Sequence, residues 1–74
     1  MSDDLQDIEH TVLELGREAL EAPELQLDSV WLEHGDPYPL LDLLRDAFGV
    51  ELPMIEYLGV TVADTARRVQ RMLG

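Results

Sequence analysis

The segment over residues 40–69 constrains the fold more than any other part of this chain. It opens with a leucine-rich run, Leu40–Phe48, whose apolar residues cover more than half the circumference of a helix. Gly49 follows at once, as glycine often does where a helix ends in a left-handed conformation. Further on, Thr61 and Asp64 have the three-residue spacing of a capping box, which predicts the start of a last helix.

Four helical segments are predicted in all. The first, Asp3–Glu21, has apolar residues at alternating spacings of three and four, which is one stripe on a helix. Ser2 or Asp3 is placed to cap its start, and Gly16 should weaken its interior by about 1 kcal/mol relative to alanine. The other segments are Leu40–Phe48, a short helix or turn over Met54–Leu58, and the last helix after Thr61.

Residues 24–39, between the first two helices, are predicted to form a long loop. The loop contains glycine and proline, but it also contains Trp31 and three leucines, so it must pack onto the helices. Trp31 is predicted to fill the core. Residues 1–74 are therefore expected to form one all-α domain, a small four-helix antiparallel bundle with helix 40–48 as its central and most buried element.

Length and composition allow one small domain. A chain of 74 residues buries only about 60% of the surface that it exposes when unfolded, which leaves no room for a deep enclosed active site. The absence of cysteine excludes disulfides and thiolate metal sites. No basic region followed by an apolar core is visible at the start, and no apolar run approaches the roughly 20 residues that span a bilayer. We expect a soluble cytoplasmic protein.

The net charge of -11 argues against two classes of partner. Residues 1–36 carry eleven acidic side chains and one arginine, whereas residues 37–74 carry five acidic side chains and four arginines. Such a chain is repelled by the phosphates of nucleic acid and by anionic lipid headgroups, so neither is an expected partner. The acidic half is either a solvated surface that keeps the protein soluble or a face that docks onto basic patches of partner enzymes.

The order of motifs in the second half resembles that of acyl and peptidyl carrier proteins. Phe48–Pro53 looks like the end of that family's second helix and the start of its next loop, and Thr61–Asp64 looks like the start of its last helix. Upstream, Ser29–Asp36 is similar to the segment that precedes the family's modified serine. The resemblance implies an acyl-carrier-protein-like fold and a role in polyketide, nonribosomal peptide or fatty-acid biosynthesis.

The serine that carriers modify is missing from its place. In that family a phosphopantetheine is attached to a serine hydroxyl at the start of the second helix, and its thiol carries the acyl or aminoacyl group. Aligned on Gly35-Asp36, this chain has Pro37 at that position; counted back from the helix end without a gap, it has His34. Neither offers a hydroxyl. Ser29 is the alternative attachment site, so we expect no phosphopantetheine cofactor unless Ser29 is modified.

The two histidines do not predict an enzyme. His10 lies in the acidic first helix, where the spacing of its neighbours supplies no defined set of metal ligands. His34 and Asp36 could form an acid–base pair, but no nucleophile or oxyanion donor accompanies them. There is no glycine-rich phosphate loop and no basic patch interleaved with aromatic residues. We therefore expect neither catalysis nor a bound metal.

These observations favour a carrier-shaped protein that acts by docking. The resemblance implies that its acidic face binds a biosynthetic enzyme or another carrier protein near the start of the second helix. Two alternatives stand beside this interpretation: a working carrier modified on Ser29, and an unrelated acidic helical protein with a regulatory or interaction role. Nothing in the sequence indicates an oligomeric state. The residues predicted to contact the partner are Asp28, Glu33, His34, Asp36, Pro37, Tyr38, Leu40 and Leu41.

Overall fold

The computed structural model describes residues 4–74, which form three α-helices and two short 3-10 helices. The described residues contain no strand, only an isolated antiparallel bridge between Val30 and Thr61. The prediction of a small all-α domain is confirmed, but its fourth helix is a 3-10 turn rather than a further α-helix. The elements are α1 (Leu5–Leu20), a first 3-10 helix (Trp31–Glu33), α2 (Tyr38–Phe48), a second 3-10 helix (Ile55–Leu58) and α3 (Val62–Leu73).

The helix α1 forms where the apolar stripe predicts it. Ile8 and Val12 from that stripe are buried, while the acidic residues Asp7 and Glu14 on other faces are exposed. The N-cap is Asp4, whose Oδ1 accepts a hydrogen bond from the backbone N–H of Gln6 at 3.0 Å. Such a bond satisfies a first-turn donor that has no partner within the helix. Ser2 and Asp3, which were predicted to cap this helix, lie outside the described residues.

The helix α2 begins two residues earlier than predicted, at Tyr38. Proline is tolerated in a first turn because the N–H that it lacks would have no partner within the helix, so Pro39 fits inside the helix. The end agrees with the prediction. Gly49 has a φ of 72°, the left-handed conformation that glycine adopts without a steric penalty, and its N–H donates to the Arg45 carbonyl at 2.8 Å.

The helix α1, and not α2, is central, which corrects the prediction for helix 40–48. It packs against both α2 and α3 along its 16 residues, and its contact with α3 is the more extensive. The helix α2 is shorter, with 11 residues, and buries only one side: Leu40, Leu41 and Leu44 are buried, whereas Leu43 is only half-buried. The leucine-rich run predicted a wide apolar face, but α2 is not the helix against which the others pack.

The long loop supplies part of the core, as predicted. Leu25 and Trp31 are completely or almost completely buried, at 0% and 1% exposure, although neither lies in an α-helix. The neighbouring Leu32 is the exception, because 71% of its surface is exposed. The apolar residues of the core are Ile8, Val12, Ala22, Leu25, Trp31, Leu40, Leu41, Leu44, Val50, Leu52, Leu58, Val62, Ala66 and Val69.

Gly16 is the residue that lets Trp31 approach α1. A Cβ at position 16 would lie 2.6 Å from two carbons of the Trp31 ring and 2.9 Å from a methyl carbon of Leu25. Those distances are well below the 3.5–4.0 Å at which carbon atoms attract each other. The sequence suggested that Gly16 only weakens its helix; the structure gives it a second role, because any larger side chain there displaces the indole ring.

Candidate functional site

The carrier resemblance implies a modified serine at the start of α2, where Pro37 stands when the chain is aligned on Gly35-Asp36. His34, the other candidate position, follows the first 3-10 helix. Pro37 is buried and is the N-cap residue, with no side-chain hydrogen bond to the helix. Asp36 Oδ1 accepts from the N–H of Tyr38 at 3.0 Å, and the N–H of Leu40 donates to the Pro37 carbonyl at 2.9 Å. Pro39 has no N–H.

This arrangement is a poor phosphate site. Helix starts bind phosphate through free N–H groups and the positive end of the helix dipole. Here the first-turn donors of Tyr38 and Leu40 already have partners. Neither a hydroxyl at position 37 nor a donor set for a phosphodiester is present at this end of α2.

Ser29, the alternative attachment site, is half-buried in a tight turn of the loop. Its Oγ accepts from the N–H of Gln26 at 2.9 Å, and its own N–H donates to the Gln26 carbonyl at 3.1 Å. Its carbonyl accepts from the N–H of Val62 at 3.1 Å, which joins the turn to the first residue of α3. Ser29 therefore has a structural role at a loop–helix joint, and it does not begin an α-helix.

The residues predicted to contact a partner divide into two groups. Pro37, Leu40 and Leu41 are buried; Leu40 has no exposed surface and Leu41 has 8%. They pack on the inner side of the α2 start, and they present almost no surface to another protein. Contact with a partner stays a prediction for the accessible members of the set, which are Asp28, Glu33, His34, Asp36 and Tyr38. Tyr38 is the most accessible aromatic among these, at 61%.

His34 is not paired with Asp36. Its Nδ1 lies 3.6 Å from an oxygen of Glu24, which is an ion pair only when the imidazole is protonated. His10 is exposed on α1. Across residues 4–74, no three side chains of the metal-binding types are grouped closely enough to hold an ion. Within the same range, every helix is too short or too polar to cross a bilayer.

The start of α3 is held by the loop. Val62 and Ala63 donate their N–H groups to the carbonyls of Ser29 and Leu27 at 3.1 and 2.9 Å. The predicted capping box is confirmed, because Thr61 Oγ1 accepts from the N–H of Asp64 at 3.2 Å and the Asp64 carboxylate accepts from the N–H of Thr61 at 3.1 Å. The first three N–H groups of α3 therefore all have partners.

The backbone at the start of α3 lowers the pKa of the Asp64 carboxyl. The N–H of Thr61, and after it the N–H of Val60, donate to this carboxylate and lower the pKa of Asp64 below its ordinary value of 3.8. Arg67, with Nη1 at 3.6 Å, lowers the pKa slightly further. A carboxylate that accepts backbone hydrogen bonds is stabilised in its charged form. Asp64 thus remains ionised at any pH near neutrality and serves the helix start rather than proton transfer.

Sequence reasoning missed a buried polar pair beneath this joint. The Trp31 indole Nε1–H donates to Thr65 Oγ1 at 2.7 Å, and the Thr65 hydroxyl donates to the Leu58 carbonyl at 2.5 Å. Thr65 is fully buried. The signal was available, because position 65 lies three residues after Val62 and four before Val69 and so shares their apolar face. The pair anchors the tryptophan of the loop to α3 and to the second 3-10 helix.

A pocket of about 400 Å³ lies next to this pair. Its walls come from the first 3-10 helix, the start of α2, the second 3-10 helix and α3, and they are mainly apolar. One cationic side chain, Arg68, stands among them. We call it the Trp31–Arg68 pocket; it is lined by Trp31, Leu32, Pro37, Ile55, Glu56, Leu58, Gly59, Val60 and Arg68. An apolar cleft of about 300–1,000 Å³ with a few polar groups is the usual form of a small-molecule site.

Comparison of this chain with known protein families, with curated proteins and with solved structures gave no match in any of the three.

Proposed function

We propose that this protein is a carrier-shaped docking module that works without a phosphopantetheine arm in polyketide, nonribosomal peptide or fatty-acid assembly. The observation that carries the proposal is the start of α2. Pro37 stands there and has no hydroxyl, and the Asp36 carboxylate accepts a hydrogen bond from the first N–H of the helix, that of Tyr38. A transferase needs a nucleophilic hydroxyl to form the phosphodiester, and this end of α2 offers none.

The order of the elements supports the carrier resemblance. A long loop after α1, a helix closed by Phe48 and Gly49, a short 3-10 helix and a capped last helix follow one another as the sequence motifs implied. Within residues 40–69, α2 ends at Gly49 and α3 begins after Thr61. The docking surface that the resemblance implies lies near the start of α2.

The charge of the α2 rim supports docking through that surface. Asp28, Glu33 and Asp36 are exposed, and none of the three forms an ion pair within residues 4–74. Tyr38, whose N–H donates to Asp36, is also exposed. Exposed acids without ion pairs complement a basic patch on a partner, and such charges chiefly raise the rate of association.

The absence of the arm is tested by intact mass. The protein is incubated with coenzyme A and a broad-specificity phosphopantetheinyl transferase, with a true carrier in parallel. We expect the carrier to gain one phosphopantetheine and this protein to keep its mass. A mass gain of one phosphopantetheine would overturn the proposal, and its loss in a Ser29→Ala variant would make Ser29 the attachment site of a working carrier.

Docking is tested by competition in the same reaction. An excess of this protein should slow the modification of the true carrier, because both present an acidic carrier-like face to the transferase. A variant with Asp28→Asn, Glu33→Gln and Asp36→Asn should lose that effect. The matched control removes three exposed acids from α1 instead, with Asp7→Asn, Glu14→Gln and Glu18→Gln.

The two triple variants separate docking from net charge. Each raises the net charge by three, so a general electrostatic effect changes both equally. We expect the α1 variant to compete as the unmodified protein does and the rim variant to compete weakly. Absence of competition by the unmodified protein would contradict docking onto a carrier-binding enzyme and would favour the unrelated regulatory or interaction role.

A further inference from the structure

We propose that the Trp31–Arg68 pocket binds a small amphiphilic anion, with an apolar body against the accessible walls at Leu32, Ile55 and Val60 and an acid group on Arg68. The pocket holds about 400 Å³. Burying an apolar chain against these walls removes it from water, which is the main driving force for ligands of this kind. The inference concerns a different surface from the acidic rim and does not depend on the proposed docking function.

Arg68 is available to receive an anion. The other arginines near carboxylates are engaged: Arg17 with Glu14 at 3.7 Å, Arg45 with Asp42 at 3.9 Å and Arg67 with Asp64 at 3.6 Å. The guanidinium groups of Arg68 and Arg71 have no ion pair with any described residue, and of the two only Arg68 lines the Trp31–Arg68 pocket. In a protein whose net charge is -11, a cation left unpaired at the edge of an apolar pocket is an unusual arrangement. A guanidinium presents several donors that match a carboxylate.

Gly59 holds Arg68 at the mouth of the pocket. Gly59 has a φ of 79° and a ψ of -158°, a conformation that is essentially restricted to glycine. A Cβ at this position would lie 2.7 Å from the Cβ of Asp64 and 3.2 Å from Nε of Arg68. Because Gly59 has no side chain, the Arg68 side chain can lie close to its backbone. Both the backbone conformation and the close approach favour glycine here and keep the cation beside the apolar walls.

The charge of the whole protein favours a small ligand over a large one. A membrane surface or an acidic macromolecule brings many negative charges towards a protein of net charge -11, so its approach is opposed. A monomeric amphiphile brings a single negative charge, which Arg68 can neutralise. Glu56 also lines the pocket, and it disfavours ligands with more than one acid group on that side. The chemistry points to a monoanion with an aliphatic or aromatic body.

Trp31 allows a direct test, because it is the one tryptophan of the chain and lines the pocket. Decanoate, kept below its micelle concentration, is titrated into the full-length protein while tryptophan emission is followed; 1-decanol serves as the uncharged analogue. We expect a saturable change with decanoate, weaker binding of decanol, and a melting temperature that rises with decanoate concentration. No saturable change, or equal affinity for decanol, would overturn the proposal.

Two variants assign the binding to this pocket. Arg68→Gln should weaken decanoate binding by roughly fivefold to tenfold, since a hydrogen bond to a charged group is lost. Arg45→Gln makes the same change on an exposed arginine of α2 outside the pocket and should leave the affinity unchanged. Val60→Glu places a negative charge on an exposed pocket residue and should abolish binding. Equal effects of the two arginine variants would overturn the assignment.

Vesicles of phosphatidylglycerol distinguish a free amphiphile from a lipid surface. We expect the protein not to sediment with these vesicles at an ionic strength where decanoate binds. Sedimentation with vesicles but no response to decanoate would overturn the proposal in favour of a membrane surface. Circular dichroism of each variant without ligand verifies that the fold is retained, and the exposed positions of Arg68, Arg45 and Val60 make that the expected result.

Discussion

The first turns of α2 and α3 satisfy the same requirement in opposite ways. Both begin with backbone N–H groups that have no partner inside the helix. In α3 those groups donate to Thr61 and to carbonyls of the loop at Leu27 and Ser29. In α2 the exposed carboxylate of Asp36 accepts the first donor, and Pro39 removes another. The N–H groups of α3 are therefore capped mainly by the loop, whereas the first N–H of α2 is capped by an exposed side chain.

This difference separates stability from function. The start of α3 is tied to the loop, to Trp31 and to Thr65, so a change there disturbs several contacts at once. The cap of α2 depends on one exposed side chain, Asp36, so a change of that side chain should cost little stability. This cap also lies next to the modification site that the carrier resemblance implies. The comparison predicts large effects of substitutions at the α3 joint and a small effect at Asp36.

Removing the indole ring should have the largest effect. Trp31→Ala empties a buried site at the α3 joint and should cost about 3–5 kcal/mol of unfolding free energy, which approaches the whole stability of a domain of this size. Thermal and urea unfolding followed by circular dichroism measure the loss. Leu32→Ala is the matched control, because Leu32 is 71% exposed, and it should change stability by less than about 0.5 kcal/mol. Similar losses in the two variants would contradict a core role for Trp31.

The hydroxyl of Thr65 should have the next largest effect. Thr65→Val keeps the shape of the side chain but leaves the Trp31 Nε1–H and the Leu58 carbonyl without their partner. A buried donor without a partner costs about 1–3 kcal/mol, and urea unfolding measures it. Thr11→Val makes the same chemical change on a partly exposed face of α1 and should be nearly neutral. If both variants lose the same free energy of unfolding, the hydrogen bonds of Thr65 to Trp31 and Leu58 do not contribute to stability.

Acid should weaken the α3 start through Asp64. Its pKa is lower in the folded protein than its ordinary value of 3.8, because the N–H groups of Thr61 and Val60 stabilise the carboxylate. The contribution is therefore complete above that value and is lost as the pH falls through the lowered folded value. Asp64→Asn should flatten the acid limb of stability against pH. Asp46→Asn, at an exposed acid of α2, should not; a flattening of equal size would contradict the assignment.

Local signals predicted the helices well. The capping box of α3, the glycine that ends α2 and the stripe of Ile8 and Val12 in α1 are each found where the sequence indicated them. The start of α2 was placed two residues too late: a residue before proline generally disfavours helical geometry, yet Tyr38 is the first residue of the helix. The side chain of Asp36 compensates by accepting the Tyr38 N–H. A tertiary or capping contact of this kind cannot be read from propensity alone.

The joint and the pocket could not be predicted in the same way. Their residues come from segments that are far apart in sequence, such as Gly16 against Trp31 and Trp31 against Thr65. Gly16 was interpreted as a weakness because only its helix propensity is visible in the sequence. In the sequence Arg68 is only one of the four arginines in residues 37–74, and its position beside an apolar pocket depends on Gly59, which lies in a different segment.

The smallest loss of stability is expected at the start of α2, and it completes the comparison. Asp36→Ala removes the acceptor of one exposed N–H and should cost about 0.5 kcal/mol, the low end for a cap, whereas Thr61→Ala at the α3 start should cost about 1–2 kcal/mol. Urea unfolding of both variants measures the difference. Equal losses would remove the distinction between a structural and an exposed helix start.

If docking uses the acids near the α2 start, Asp36→Ala should also slow association at low salt while Thr61→Ala leaves it unchanged, because a charge at the edge of an interface acts chiefly on the rate of encounter.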